Sequence, residues 1–321
     1  MDEVVLGGLA GSSLRVATPL ILCALAGVLA ERSGVIDLGL EGKMLAAAFA
    51  AAAGGVATGS LPLAMLIAMA VAVALSWVHG FACITHRGDH VVSGMAINIV
   101  AAGLTVVLAI AWYNQGGQTP PVSETLRMHA LFPGATAALA DIPGGAIVGE
   151  GLLSHNALVY VALLLVWATW WLLYRTRFGL RLRAVGENPH MVEAAGVSVS
   201  RLRYAALTLN GMLCGLAGCY LVLAQGANFA PNMTAGRGYM ALAAMIFGHW
   251  RPVPSLAACL LFGFLDAVSI RLQGVSLPIV GLVPVQAIQA LPYLLTVILL
   301  AGFIGRNLAP QALGRPYIKE R

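Results

Sequence analysis

The 321-residue chain is 60% hydrophobic and 10% charged, with a formal net charge of +5. A soluble domain is about 45–50% apolar and about 25% charged, so this composition excludes a soluble protein and predicts an integral membrane protein. The positive charge does not indicate nucleic-acid binding, because the basic residues cluster at predicted membrane boundaries. The five cysteines fall in apolar runs without CxxC or Cys/His spacing, which predicts small buried side chains and no metal site.

In chain order, the apolar runs predict membrane spans, each of which needs about 17–25 mostly apolar residues. We expect an all-α polytopic membrane helix bundle that forms one domain, residues 1–321, with about nine spans near 13–30, 40–58, 61–83, 91–113, 156–174, 204–224, 238–250, 254–272 and 284–304. The seventh run is too short for a regular crossing and predicts a broken or re-entrant element. Its glycine-rich approach, GANFAPNMTAGRG from Gly226, must be shielded by protein or face a water-filled cavity.

The distribution of charge predicts the orientation. Nine crossings place the N-terminus outside and the C-terminus inside, and 14 of the 18 Lys and Arg residues then lie on the inner side. The loop at about 175–203 carries six arginines and is predicted to be cytoplasmic. The loop at about 114–155 is nearly free of basic residues and is predicted to be external, either as a docking surface for an external protein or as a solvated connector.

Polar residues inside or beside spans are the candidates for a translocation pathway. Asp37 and Glu41, in GVIDLGLEGKML from Gly34, are four residues apart and share one helix face. They either fix or line a broken lead-in to the second span, or belong to a cytoplasmic turn with paired charges. Asn98 and Asn210 lie about two turns inside their spans, where an amide either lines a pathway for a neutral solute or joins helices.

Motifs of an enzyme are missing from the sequence. It has no G-x-x-x-x-G-K-[ST] phosphate loop, which predicts that this chain does not bind ATP in that manner. It also has no HExxH or GxSxG motif, which argues against an intramembrane enzyme. We therefore expect a membrane protein without a catalytic site or a bound cofactor of its own.

Three blocks resemble a known family, the permease subunits of nucleoside ABC importers, within the larger ribose/branched-chain amino acid permease group. They are GVIDLGLEGKMLAAAFAA from Gly34, LRAVGENPHMVEAAGVSVSRLRYAALTLNGMLCGLAG from Leu182 and RGYMALAAMIFGHWRP from Arg237. The family usually has Asn in place of Asp37 and often Gln in place of Lys43, so the substrate stays open. A permease for ribose-like sugars or branched-chain amino acids is the nearest alternative.

The resemblance implies a multi-pass protein of the bacterial plasma membrane that works with several partners. These are a second homologous permease in a heterodimer, a cytoplasmic ATP-binding cassette protein that uses ATP and Mg, and an external substrate-binding lipoprotein. By motif position, the coupling segment that contacts the cassette protein comprises Glu187, Asn188, Pro189, Ala194, Ala195 and Gly196. Alternatives from other classes are a secondary transporter driven by ions through Asp37, Glu41 or Asp266, and a membrane scaffold without transport activity.

Overall fold

The computed structural model describes residues 3–134, 139, 144–272, 276–277, 281–282, 290, 294 and 309–318, which are mainly helical. The helices are α1 (Glu3–Arg32), α2 (Leu40–Thr58), α3 (Leu61–Gly80), α4 (His90–Tyr113), α5 (Gly145–Val148), α6 (Ala157–Arg175), α7 (Arg177–Glu187), α8 (Pro189–Ala194), α9 (Val199–Tyr220), α10 (Arg237–Phe247) and α11 (Pro252–Leu272). Two short antiparallel strands follow, β1 (Ser276–Leu277) and β2 (Gly281–Leu282), with Ser276 opposite Leu282. Short π-helical segments extend α3 through Phe81–Thr85 and α9 through Leu221–Gln225.

Within the described residues, seven helices are long and apolar enough to cross a membrane, and α10 is a shorter apolar helix of 11 residues. The first eight predicted spans each correspond to one of these helices, and the predicted ninth, 284–304, lies outside the described residues. Helix α1 starts at Glu3, well before the predicted residue 13. The hydroxyls of Ser12 and Ser13 bond the carbonyls of Gly8 and Leu9, each at 2.7 Å, which lets these polar residues continue the helix.

The centre of the bundle is formed by α1, α2 and α9. Their most apolar stretches are 78–89% buried, whereas those of α3, α4, α6 and α11 are 22–33% buried. A Cβ atom at Gly211 or Gly215 of α9 would lie 2.6 Å from the Cα of Val73 or Met69 on α3. Helices α9 and α3 are therefore closely packed through small residues, because only glycine permits this approach of two helix backbones.

One end of the bundle is closed by the last described segment, residues 309–318. The Ala312 amide donates to the Gly186 carbonyl at 2.8 Å, and the Gly314 amide donates to the Gly34 carbonyl at 3.0 Å. The buried Arg203 donates from Nε to the Ser33 carbonyl at 3.2 Å. The C-terminal segment, the end of α7 and the connection between α1 and α2 therefore form one packed surface.

The opposite end of the bundle contains the first half of the loop at 114–155. Its amides at Thr119 and Val122 donate to the carbonyls of Phe229 and Ala227, at 3.2 and 2.6 Å. The Met128 amide donates to the Leu223 carbonyl at 2.8 Å. This half of the loop is ordered against the connection between α9 and α10, and it holds that irregular connection in place.

Candidate functional site

Two interruptions of the helical bundle meet in its interior. The first, residues 33–39, separates α1 from α2, and the second, residues 226–236, separates α9 from α10. The end of α10 is fixed beside the end of α1, because the Trp250 indole donates to the Glu31 carboxylate at 2.6 Å and Arg32 Nε donates to the Trp250 carbonyl at 2.8 Å. With about 1.5 Å per residue, α10 is about 16 Å long, which is about half the thickness of a hydrocarbon core of about 30 Å.

The carboxylate of Glu41 joins the two interruptions. Its oxygens accept hydrogen bonds from the backbone amides of Gly236, at 2.8 Å, and Gly238, at 2.6 Å, in the first turn of α10. A negative charge is stabilised there by the unpaired amides and the positive end of the helix dipole. A Cβ at Gly238 would lie 2.6 Å from the Cα of Glu41, so glycine is needed for this contact.

Asp37 and Lys43 form a buried ion pair at the first interruption. Lys43 Nζ lies 2.6 Å from Asp37 Oδ2, and neither side chain is exposed to solvent. The other oxygen of Asp37 accepts the Gly39 amide at 3.1 Å. An ammonium and a carboxylate at this distance neutralise each other, so the pair carries no net charge.

Asn210 connects this ion pair to the helices around it. Its side-chain oxygen accepts hydrogen bonds from Lys43 Nζ and Ser76 Oγ, both at 3.1 Å, and its Nδ2 donates to the Ala26 carbonyl at 3.0 Å. These contacts join α2, α3, α9 and α1. Asn210 has both amide atoms engaged with protein partners, as a helix-joining residue does in a membrane.

Asn98 of α4 reaches both interruptions. Its side-chain oxygen accepts the Gly42 amide at 2.8 Å, and its Nδ2 donates to the Leu38 carbonyl at 2.9 Å and the Tyr239 hydroxyl at 2.8 Å. The four predicted pathway residues thus lie in one region. The sequence reading missed Lys43 as the partner of Asp37 and Tyr239 as the partner of Asn98. Lys43 could have been found, since a basic residue six positions after Asp37 stands in the same apolar segment.

Histidines line the end of the first interruption near α4. His79 Nε2 is hydrogen-bonded to the Ile36 carbonyl at 2.9 Å, and the Ile36 amide donates to His90 Nδ1 at 3.1 Å. Among the described residues, no group of three His, Cys, Asp or Glu side chains is arranged to hold a metal ion. These histidines satisfy the backbone groups of a non-helical segment.

The predicted coupling segment forms a short capped helix on the surface. The side chain of Asn188 accepts the Met191 amide at 3.2 Å, and Pro189 occupies the first position of α8, both of which favour a helix start. Gly196 has φ +77°, which ends the turn. Of the six predicted coupling residues, Pro189 is buried and the other five are exposed, namely Glu187, Asn188, Ala194, Ala195 and Gly196. An adjoining cavity of about 590 Å³ is lined partly by Glu193, Gly196 and Tyr317.

Comparison with known protein families shows the family to which this chain belongs. The family described as "Branched-chain amino acid transport system / permease component" matches residues 9–302. The chain belongs to this family. It is 37% identical to the guanosine ABC transporter permease protein NupQ of Bacillus subtilis, over 99% of both chains. It is 34% identical to the nucleoside ABC transporter permease protein NupC of Lactococcus lactis, over 95% of this chain and 94% of the relative.

Other relatives extend the comparison. A Haloferax volcanii permease protein named for glucose transport is 34% identical over 98% of both chains. A second guanosine permease protein of Bacillus subtilis, NupP, is 27% identical over 87% of this chain and 77% of its own length. A second nucleoside permease protein of Lactococcus lactis, NupB, is 23% identical over 80% of this chain and 71% of its own length. Systems with such names therefore contain more than one related permease.

The family membership gives the class of the protein. It is the permease subunit of an ABC importer and a multi-pass protein of the bacterial inner membrane, with at least seven helices able to span the bilayer. It is not itself an enzyme, because ATP hydrolysis in such importers belongs to a separate subunit. The family match indicates no cofactor-binding group. The prediction of the protein class from the three sequence blocks is confirmed.

Proposed function

We propose that this permease translocates nucleosides. The observation that carries the proposal is the 37% identity to a guanosine permease protein over 99% of both chains. The interior agrees with a neutral solute, because the Asp37 carboxylate is paired with Lys43 and the Glu41 carboxylate is held by backbone amides. Because both carboxylates already have protein partners, the structure gives less support to a transporter driven by ions through Asp37 or Glu41. A sugar permease is the second candidate, since the relative named for glucose transport is 34% identical.

We also propose a topology, with residues 1–321 as one permease domain of nine spans. In the seventh span, the non-helical residues 226–236 and the short helix α10 together make one crossing. The N-terminus is outside and the C-terminus inside. Contacts at the two ends support this arrangement: Glu3 accepts the Gly144 amide at 3.0 Å near the loop at 114–155, whereas Ala312 bonds Gly186 in the arginine-rich segment at 175–203. The two ends of the chain thus lie at opposite ends of the bundle, as an odd number of crossings requires.

The proposed partners follow from the family. A second, homologous permease completes a heterodimer, and the paired guanosine and nucleoside permease proteins of two bacteria support this assignment. A cytoplasmic cassette protein binds ATP and Mg and contacts the six coupling residues on and beside α8. A substrate-binding lipoprotein docks on the outer face, at the loop of residues 114–155.

In this mechanism, the cassette protein displaces α8. Contacts of α7 with the C-terminal segment, and of that segment with residues 33–39, transmit the displacement to the interior. Glu187, at the end of α7, accepts the Gln311 amide at 3.4 Å, and Gly314 in the same C-terminal segment bonds Gly34. Displacement of α8 therefore acts on residues 33–39 and on the Asp37–Lys43 pair. We assign Asp37, Glu41, Asn98 and Asn210 to the wall of the pathway. Each ligand shifts the permease only as far as it prefers one conformation.

Transport by a reconstituted importer tests the function. The chain is co-expressed with a cassette protein, a second permease and a binding protein of the same importer, and the complex is placed in liposomes without an ion gradient. We expect ATP-dependent accumulation of labelled guanosine, with ADP as the control, and no accumulation of glucose or leucine. Accumulation of glucose but not guanosine would favour the sugar alternative, and uptake by the chain alone on a sodium or proton gradient would refute the ABC mechanism.

A further inference from the structure

Tyr239 is the one member of the interior network described above that presents an aromatic ring to open space. Its hydroxyl is fixed, since it accepts a hydrogen bond from Asn98 Nδ2 at 2.8 Å and donates to Met95 Sδ at 3.9 Å. The residue is nevertheless 41% exposed. A ring anchored at its edge and open at its side is a preformed surface for a flat ligand.

The depth of Tyr239 in the bundle limits what its ring can face. It is the third residue of α10, a helix about half as long as the hydrocarbon core is thick, so one end of α10 lies inside the bundle. The preceding residues are non-helical turns with positive φ at Asn232 and Ala235, and both are exposed. Irregular backbone at membrane depth is tolerated only beside protein or water, so this side of α10 does not face lipid alone.

The chemistry around the ring selects a class of ligand. The nearby carboxylate, Glu41, is occupied by the amides of Gly236 and Gly238, and Asn98 has both amide atoms engaged, so neither side chain offers a free group to a solute. Met95 adds a polarisable thioether beside the ring. Aromatic side chains stack any nucleobase, because every base has a π-face, whereas a free sugar has none.

We propose that Tyr239 is a stacking surface for the heterocyclic base of the solute during translocation, with Asn98 holding the ring in place. The inference rests on the proposed nucleoside transport and names the part of the solute that this permease itself recognises. It also gives the permease a preference for bases over free sugars that is independent of the external binding protein.

Cysteine accessibility tests the proposal. The five native cysteines are buried, so a single introduced thiol can be followed against a low background. Met95→Cys places a reporter beside Tyr239, and Val100→Cys, five residues further on and therefore on another face of α4, is the matched control, since Val100 is 53% exposed. In the assembled importer in liposomes, we expect a charged, water-soluble thiol reagent to modify residue 95, and saturating guanosine to slow that modification while ribose does not. Residue 100 should show no protection by guanosine.

Ring substitutions in the Met95→Cys background separate stacking from a structural role. Tyr239→Phe and Tyr239→Trp should keep the protection, and Tyr239→Leu should need about tenfold more guanosine for the same protection, since base stacking is lost. A reporter that never reacts, or equal protection in the Leu variant, would overturn the proposal. Guanosine uptake measured with the unsubstituted chain distinguishes this failure from a failure of the proposed function, which alone would remove uptake there.

Discussion

Replacing the buried ion pair by amides should reveal how strongly Asp37 and Lys43 depend on each other. Asp37→Asn leaves the Lys43 ammonium buried with Asn210 as its remaining partner, and Lys43→Gln leaves a buried carboxylate. Removing one partner of a fully buried pair costs about 3–5 kcal/mol, because the other charge is left uncompensated. For a chain of this size, that cost corresponds to a melting temperature lower by about 5–10 °C.

The double variant Asp37→Asn, Lys43→Gln should recover most of this loss. Its two amides can keep the hydrogen bonds to Gly39 and Asn210 without any buried charge, and neutral replacement of a buried pair is often without cost. We expect the double variant to melt within about 3 °C of the original chain, which corresponds to about 1–2 kcal/mol. The assay is thermal unfolding of the detergent-purified protein, followed by loss of the monodisperse peak in size-exclusion chromatography.

The double variant shows whether Asp37 and Lys43 stabilise the protein as a pair or independently. If the losses in the two single variants add in the double variant, the residues act independently and the pair does not stabilise the interruption between α1 and α2. Unchanged melting of both single variants would also contradict the burial of the pair. Guanosine uptake by the double variant is a second measurement, and it should persist if Asp37 and Lys43 hold the pathway wall without binding a charged solute.

Three further predictions concern coupling, topology and the first turn of α10. Glu187→Trp with Asn188→Trp should abolish uptake while ATP hydrolysis by the complex continues, and unchanged uptake would reject this coupling site. Phe132→Cys, which replaces an exposed loop residue, should react with an impermeant thiol reagent on intact cells, and reaction only after lysis would reverse the topology. Glu41→Gln should lower the melting temperature by a few degrees, because a neutral amide interacts less with the helix end than a carboxylate, by about 0.3–2 kcal/mol; an unchanged value would show that the charge is unimportant.

The sequence was sufficient for the fold class and for the position of most helices. Long apolar runs need no knowledge of neighbours, and eight of the predicted spans correspond to helices in the structure. The capped helix between Glu187 and Gly196 was also predictable, because its signals, Asn188 and Pro189 before it and Gly196 after it, are local. The start of α1 was placed too late because Ser12 and Ser13 lower the apolar character of a segment whose hydroxyls are satisfied within the helix.

The interior contacts could not be predicted from local pattern. Glu41 meets Gly236 and Gly238 across nearly two hundred positions of sequence, and Asn98 meets Tyr239 across 141. Both contacts depend on where two non-helical segments stop within the membrane, which hydropathy does not encode. The pairing of Asp37 with Lys43 is local, since the two residues are six positions apart. The predicted orientation puts both near the inner surface, however, and paired charges are common there, so the pattern alone did not indicate a buried pair.

The contact between Gly34 and Gly314 has a consequence for biosynthesis. Gly34 is made early, and its carbonyl is satisfied by an amide synthesised 280 residues later. The surface around α7 and α8 can therefore be completed only after the segment that contains Gly314 has been synthesised. A shorter nascent chain would leave this surface unfinished, so assembly with a partner at this surface should wait for that segment.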